Sequence, residues 1–96
     1  MRDYITAAVQ DAVHAANIPA WDIRHNAIVA KATRALTTLD EAAALRGPVV
    51  RANLWAGFFK LSANEPHRLP KLVDSIVMLR LDDVARALLR YNRDND

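Results

Sequence analysis

Three polar side chains fall where apolar ones would be expected, and they are the groups in this chain best placed to do chemistry. With residues set about 100° apart around an α-helix, His25, Arg51 and Asp74 each lie inside the apolar arc of a different segment. On the last segment Asp74 falls between Val73, Val77, Met78 and Leu81. A carboxylate buried there must find a donor, hold a metal or take up a proton, because an unpaired buried charge is costly. If the three faces converge, Arg51 answers Asp74 as a buried ion pair that fixes helix register, with His25 or a tryptophan N–H nearby. The alternative is a small polar binding pocket walled by Trp21, Trp55 and Phe58. His25 itself reads as a neutral core imidazole with one hydrogen bond, or else as a ligand or acid–base group. Asp74 is the only candidate for a metal ligand, and whether a metal is bound is left open.

The elements that would position these groups are all helical. The first spans 3–17, with Ile5, Val9, Ala12, Val13 and Ala16 on one face and His14 opposite. Pro19 ends it, since proline disfavours α geometry in the residue before it. A second helix runs over 21–38 with an apolar side of Trp21, Ile28, Val29, Ala32, Leu36 and Leu39. Thr38-Leu39-Asp40-Glu41 has capping-box spacing, so an extra short helix is expected over 39–46. Gly47 then supplies a stop and Pro48 a start. The third main helix, 48–62, carries Leu54, Trp55, Phe58 and Phe59 on a broad apolar face, with Arg51 projecting into it. The last, 70–91, is read as unbroken, its stripe being Val73, Val77, Leu81, Val84 and Leu88. A break near Asp82, with that residue as cap, is the alternative.

The expected architecture is therefore all-α: a single domain over 1–96, a compact bundle of four main helices with a short helix near 39–46. Two glycines and few β-branched runs argue against a sheet, and the absence of cysteine excludes disulfides and thiolate metal sites. No apolar run approaches the roughly 20 residues that span a bilayer. The N-terminus, interrupted by Asp3, Gln10 and Asp11, does not read as a signal peptide, and a cytoplasmic location is expected. A net charge of +2 permits nucleic-acid binding without requiring it. Arg80, Arg86, Arg90 and Arg93 could serve an anionic partner or simply form a charged outer face.

Phe59-Lys60-Leu61-Ser62, Asn64-Glu65-Pro66-His67-Arg68 and Leu72-Val73-Asp74-Ser75-Ile76 together resemble the C-terminal half of phage-type all-α nucleoside triphosphate pyrophosphohydrolases (MazG-like). The resemblance covers about a third of the chain. It implies a helical homo-oligomer, Mg²⁺ and a nucleotide substrate, with Lys60 and Asp74 as catalytic-site residues. The upstream Glu-x-x-Glu of that family has no counterpart here. A second stretch, from Thr38 to Phe58, resembles a helix-turn-helix in the spacing of Ala43 and Gly47. It implies Arg51 and Asn53 as DNA contacts.

No phosphate-binding glycine loop, HExxH or GxSxG occurs. The function expected from these residues is a non-enzymatic, phage-like helical interaction protein. It would self-associate as a homodimer, bind another macromolecule such as a protein, and need no cofactor. The pyrophosphohydrolase (or an inactive relative of it) and the DNA-binding regulator stand as alternatives. Trp55, Phe58 and Phe59 spread over a wide sector of one helix, as expected if part of it meets a partner.

Overall fold

The computed structural model describes residues 2–19 and 22–96, so Trp21 lies outside the described residues. The order is α1 (Arg2–Ala15), α2 (His25–Arg46), α3 (Pro48–Asn64), a 3₁₀ turn (Pro66–Arg68), α4 (Leu69–Val77) and α5 (Leu81–Asp94). Among the described residues no strand forms and no helix is long and apolar enough to cross a membrane. The all-α expectation holds. The helices are divided differently, and each difference has a local cause.

α1 ends at Ala15 and is closed by Asn17, whose left-handed φ of 67° lets Ile18 N–H reach the carbonyl of Val13 and Asn17 N–H that of His14. This is the Schellman pattern, and asparagine tolerates its geometry better than most residues. α2 starts later than expected. The Asp22 carboxylate accepts the backbone N–H of Arg24 at 2.8 Å, which holds the chain in a turn until His25.

From His25, α2 continues without interruption to Arg46, so the separate helix expected over 39–46 does not exist. Thr38 does not cap. Its hydroxyl donates to the Arg34 carbonyl at 3.1 Å, and that of Thr37 to the Thr33 carbonyl at 2.7 Å. Both threonines bond back onto the preceding turn, a pattern that helix interiors accommodate. Gly47 alone joins α2 to α3, at φ 125° and ψ 160°, a conformation closed to most side chains.

The final segment breaks at 78–80. Leu79 takes a φ of 59°, Arg80 N–H reaches the Ser75 carbonyl and Leu79 N–H that of Ile76. This is a second Schellman turn, with leucine where glycine is usual. The reason lies in helix phase. α4 buries Leu69, Leu72, Val73 and Ile76, whereas α5 buries Val84, Leu88 and Tyr91. Continued straight at 100° per residue, the second stripe would be centred about 80° round the helix from the first. Asp82 is not a cap either. With Asp83 it occupies the first turn of α5, where negative charge suits the helix dipole.

A left-handed leucine costs roughly 1–2 kcal/mol, and Leu79 is largely exposed. Glycine gives back about 0.5–1 kcal/mol in chain entropy. Leu79→Gly is therefore expected to stabilise the fold by roughly 0.5–1 kcal/mol in urea titrations. A destabilised variant would show that the leucine side chain contributes packing that its exposure does not suggest.

α1 packs on α2 and α4, while α3 packs on α2 and, most extensively, on α5. Leu36, Ile76, Leu88, Val9, Val13 and Val84 are the most deeply enclosed large side chains, drawn from every layer but α3. α3 adds Leu54, Trp55, Phe58 and Leu61.

Candidate interaction site

Asp74, expected inside, is exposed on α4. The wheel placed it inward because its arc was drawn through both α4 and α5 as one helix. On α4 alone the buried stripe is Leu69, Leu72, Val73 and Ile76, and Asp74 lies well round the helix from it. Asp74 therefore cannot be the partner of Arg51. The three polar groups do not converge. His25 sits at the start of α2, half-buried, and its Nδ1–H donates to the Ile18 carbonyl at 3.2 Å. The carbonyl is only an acceptor, so it fixes the tautomer. His25 thus ties down the α1–α2 connection.

The acid that Arg51 does meet is Asp40, on the same helix as His25 but fifteen residues further along. At 1.5 Å per residue the two lie about 22 Å apart along the axis. Asp40 is the one buried charged residue among those described. Its Oδ1 accepts Arg51 Nε–H at 2.8 Å and Trp55 Nε1–H at 2.8 Å, and Tyr4 O–H donates to it at 3.4 Å. Its Oδ2 accepts Arg51 Nη2–H at 3.2 Å. Arg51 Nη2 also donates to the Tyr4 hydroxyl at 3.1 Å, closing a ring of four side chains across α1, α2 and α3.

Burial alone would raise the Asp40 carboxyl, but the hydrogen bonds from Arg51 and Trp55, the Arg51 charge and the Tyr4 hydroxyl together hold it below its usual range. The Arg51 guanidinium is held above its ordinary value by its bond to Asp40 and then by Tyr4. With both oxygens bonded to fixed donors, Asp40 is stabilised as an anion and poorly suited to moving protons at neutral pH. The cluster is a clamp. It holds three helices in register and fixes the Trp55 indole.

The reading of α2 as two helices concealed Asp40. On the continuous helix the buried positions Ala32, Ala35, Leu36, Leu39, Asp40 and Ala43 alternate by three and one. That spacing is the signal that marks Asp40 as inward.

Trp55 lies at the centre of an aromatic group. Its ring meets Tyr4 edge-on at 5.4 Å between centroids, Phe58 at 5.6 Å and Phe59 at 5.9 Å. Phe58 is buried, but Phe59 is 51% exposed. Above the clamp opens a groove of about 530 Å³ lined by Tyr4, Ala44, Pro48, Arg51, Ala52, Trp55 and Phe59. On the other side of Phe59 lies a hollow of about 170 Å³ walled by Ala8, Ala12, Ala15 and Phe58 among others. Phe59 lines both, so the two hollows flank it along the trough between α1 and α3. Of the pocket walls expected from the sequence, Trp55 and Phe58 belong to this cluster.

Lys60 donates to the Asn92 side chain at 2.8 Å and lies 3.8 Å from the Asp96 carboxylate, tying α3 to the end of α5. It makes no ion pair with Asp74 among the described residues. No group of three or more His, Asp or Glu residues among those described is arranged to hold a metal. Asn53 is exposed, whereas Arg51 is engaged by Asp40 and Tyr4. Compared with known protein families, with curated proteins and with solved structures, the chain matches none.

Proposed function

We propose that this protein is a helical interaction module that pairs with a second copy of itself through the trough between α1 and α3. The observation that carries this reading is Phe59, a large aromatic half in solvent beside hollows lined by small residues such as Ala52 and Ala8. Knob and hollow share one face. A two-fold axis through that face would seat each Phe59 in the other copy's hollow, as a self-complementary dimer interface requires. Aromatic and arginine side chains are also the groups in which interface energy concentrates, and Tyr4, Arg51 and Trp55 are already ordered there by Asp40. Little side-chain entropy would then be lost on pairing. The pair would be the form that binds a further macromolecule.

Sedimentation velocity over a wide concentration range tests this. The native chain is expected to sediment as a dimer at high concentration. Phe59→Glu should weaken pairing at least ~30-fold, the effect of losing a contact of about 2 kcal/mol. Ile23→Glu, at an exposed residue outside the trough, should leave it unchanged. A native chain that stays monomeric at millimolar concentration ends the proposal.

A further inference from the structure

A separate cavity of about 490 Å³, sharing no lining residue with the hollows beside Phe59, lies in the crevice between α4 and α5. Three cations line it: Arg68 from the 3₁₀ turn, Lys71 from α4 and Arg80 from the turn before α5. Lys71 and Arg80 have no ion-pair partner among the described residues. Arg68 is only loosely held, 3.6 Å from Glu65 and 5.5 Å over the Tyr91 ring. The one acid in the lining, Asp83, is paired with Arg86, which offsets its charge. Ser75 adds a hydroxyl, and Leu72 and Val84 form an apolar floor.

We infer that this crevice binds a small phosphomonoester whose phosphate carries an apolar or aromatic body. A terminal phosphate presents three oxygens and close to two negative charges, enough to engage Lys71, Arg80 and the Ser75 hydroxyl together. The chain segment carrying these groups is turned back on itself at Leu79, which brings Arg80 from the start of α5 to the same opening as Lys71. An unbroken helix would have carried Arg80 away from it. Leu72 and Val84 are buried beneath the site, and the apolar surface it leaves in water is that of Ala87 and the alkyl stems of Arg68, Lys71 and Arg80. Removing apolar surface from water rewards a ligand with a body to place there. The crevice is separate from the trough between α1 and α3, so this inference does not depend on self-association.

Phenyl phosphate and inorganic phosphate are the probes, titrated into labelled protein and followed by amide chemical shifts. Phenyl phosphate should give saturable shifts at Lys71, Ser75 and Arg80, and bind at least ~10-fold tighter than inorganic phosphate. Lys71→Ala and Arg80→Ala should each weaken it about tenfold, as expected for losing a charge-assisted hydrogen bond. Lys31→Ala, on the exposed side of α2, should not. Both crevice residues are exposed, so the variants should fold, and an unchanged far-UV spectrum checks it. Shifts that never saturate would overturn the inference. So would equal affinity for the two probes, or retained affinity in the double variant.

Discussion

Gly57→Ala is expected to destabilise the fold by about 3 kcal/mol, although alanine is the better helix former by about 1 kcal/mol. An ideal Cβ at Gly57 would stand 2.0 Å from the carbonyl oxygen of Leu88 and 2.7 Å from its carbonyl carbon. Those are backbone atoms of α5, and no rotamer change can move them aside. The helices must separate instead, and they do so at the most extensive contact in the bundle. Leu54, Leu61, Val84 and Leu88 would all lose close packing at once. For a domain this size each kcal/mol corresponds to roughly 4–8 °C, so the melting temperature should fall by about 12–24 °C. A thermal scan decides the sign. A variant that melts higher would mean that intrinsic helix propensity outweighs the contact, and that α3 and α5 do not approach this closely.

Asp40→Ala should cost about 2–3 kcal/mol in urea unfolding. That is at or just below the roughly 3–5 kcal/mol that removing one member of a buried pair costs, because Arg51 keeps some access to water. Trp55 Nε1–H would be left without its acceptor at a buried position. Trp55→Phe, which removes one donor and keeps an aromatic ring, should cost less, about 1 kcal/mol from the lost bond. The effect of Asp40 depends on pH in a fixed direction. Its carboxyl is lowered in the folded state, so its contribution is complete above the unfolded value of about 3.9. The contribution is lost as pH falls through the lower folded value. The gap in stability between the native chain and Asp40→Asn should thus be widest near neutrality and close on acidification. A gap that stays constant from pH 7 to pH 2 would mean that the charge of Asp40 does not support the fold.

Asp40 was hidden and Asp74 suggested for one reason: each assignment depended on a helix boundary. The four residues Thr38 to Glu41 have the composition of a cap, and only the back-bonding of Thr37 and Thr38 shows that the helix runs through them. In the other direction, nothing in Met78-Leu79-Arg80 announces a turn, since the position that adopts a left-handed φ holds leucine rather than glycine. Joining α4 to α5 moved Asp74 into a false arc, and splitting α2 moved Asp40 out of a true one. Arg51 meets an acid, but that acid is Asp40 rather than Asp74.

The helical class, the Gly47-Pro48 joint, and the inward faces of α1 and α3 follow from the residues alone, because each depends on local periodicity or on one residue's backbone preference. His14 outward and Trp55 and Phe58 inward belong to the same group. The partner of Arg51, the break at Leu79, the exposure of Phe59 and the close approach at Gly57 were settled only by tertiary structure. Each depends on which neighbour occupies the space beside a residue. A helical wheel ranks the sides of one helix, but it contains no information about how closely another helix comes or where a chain must turn to meet it.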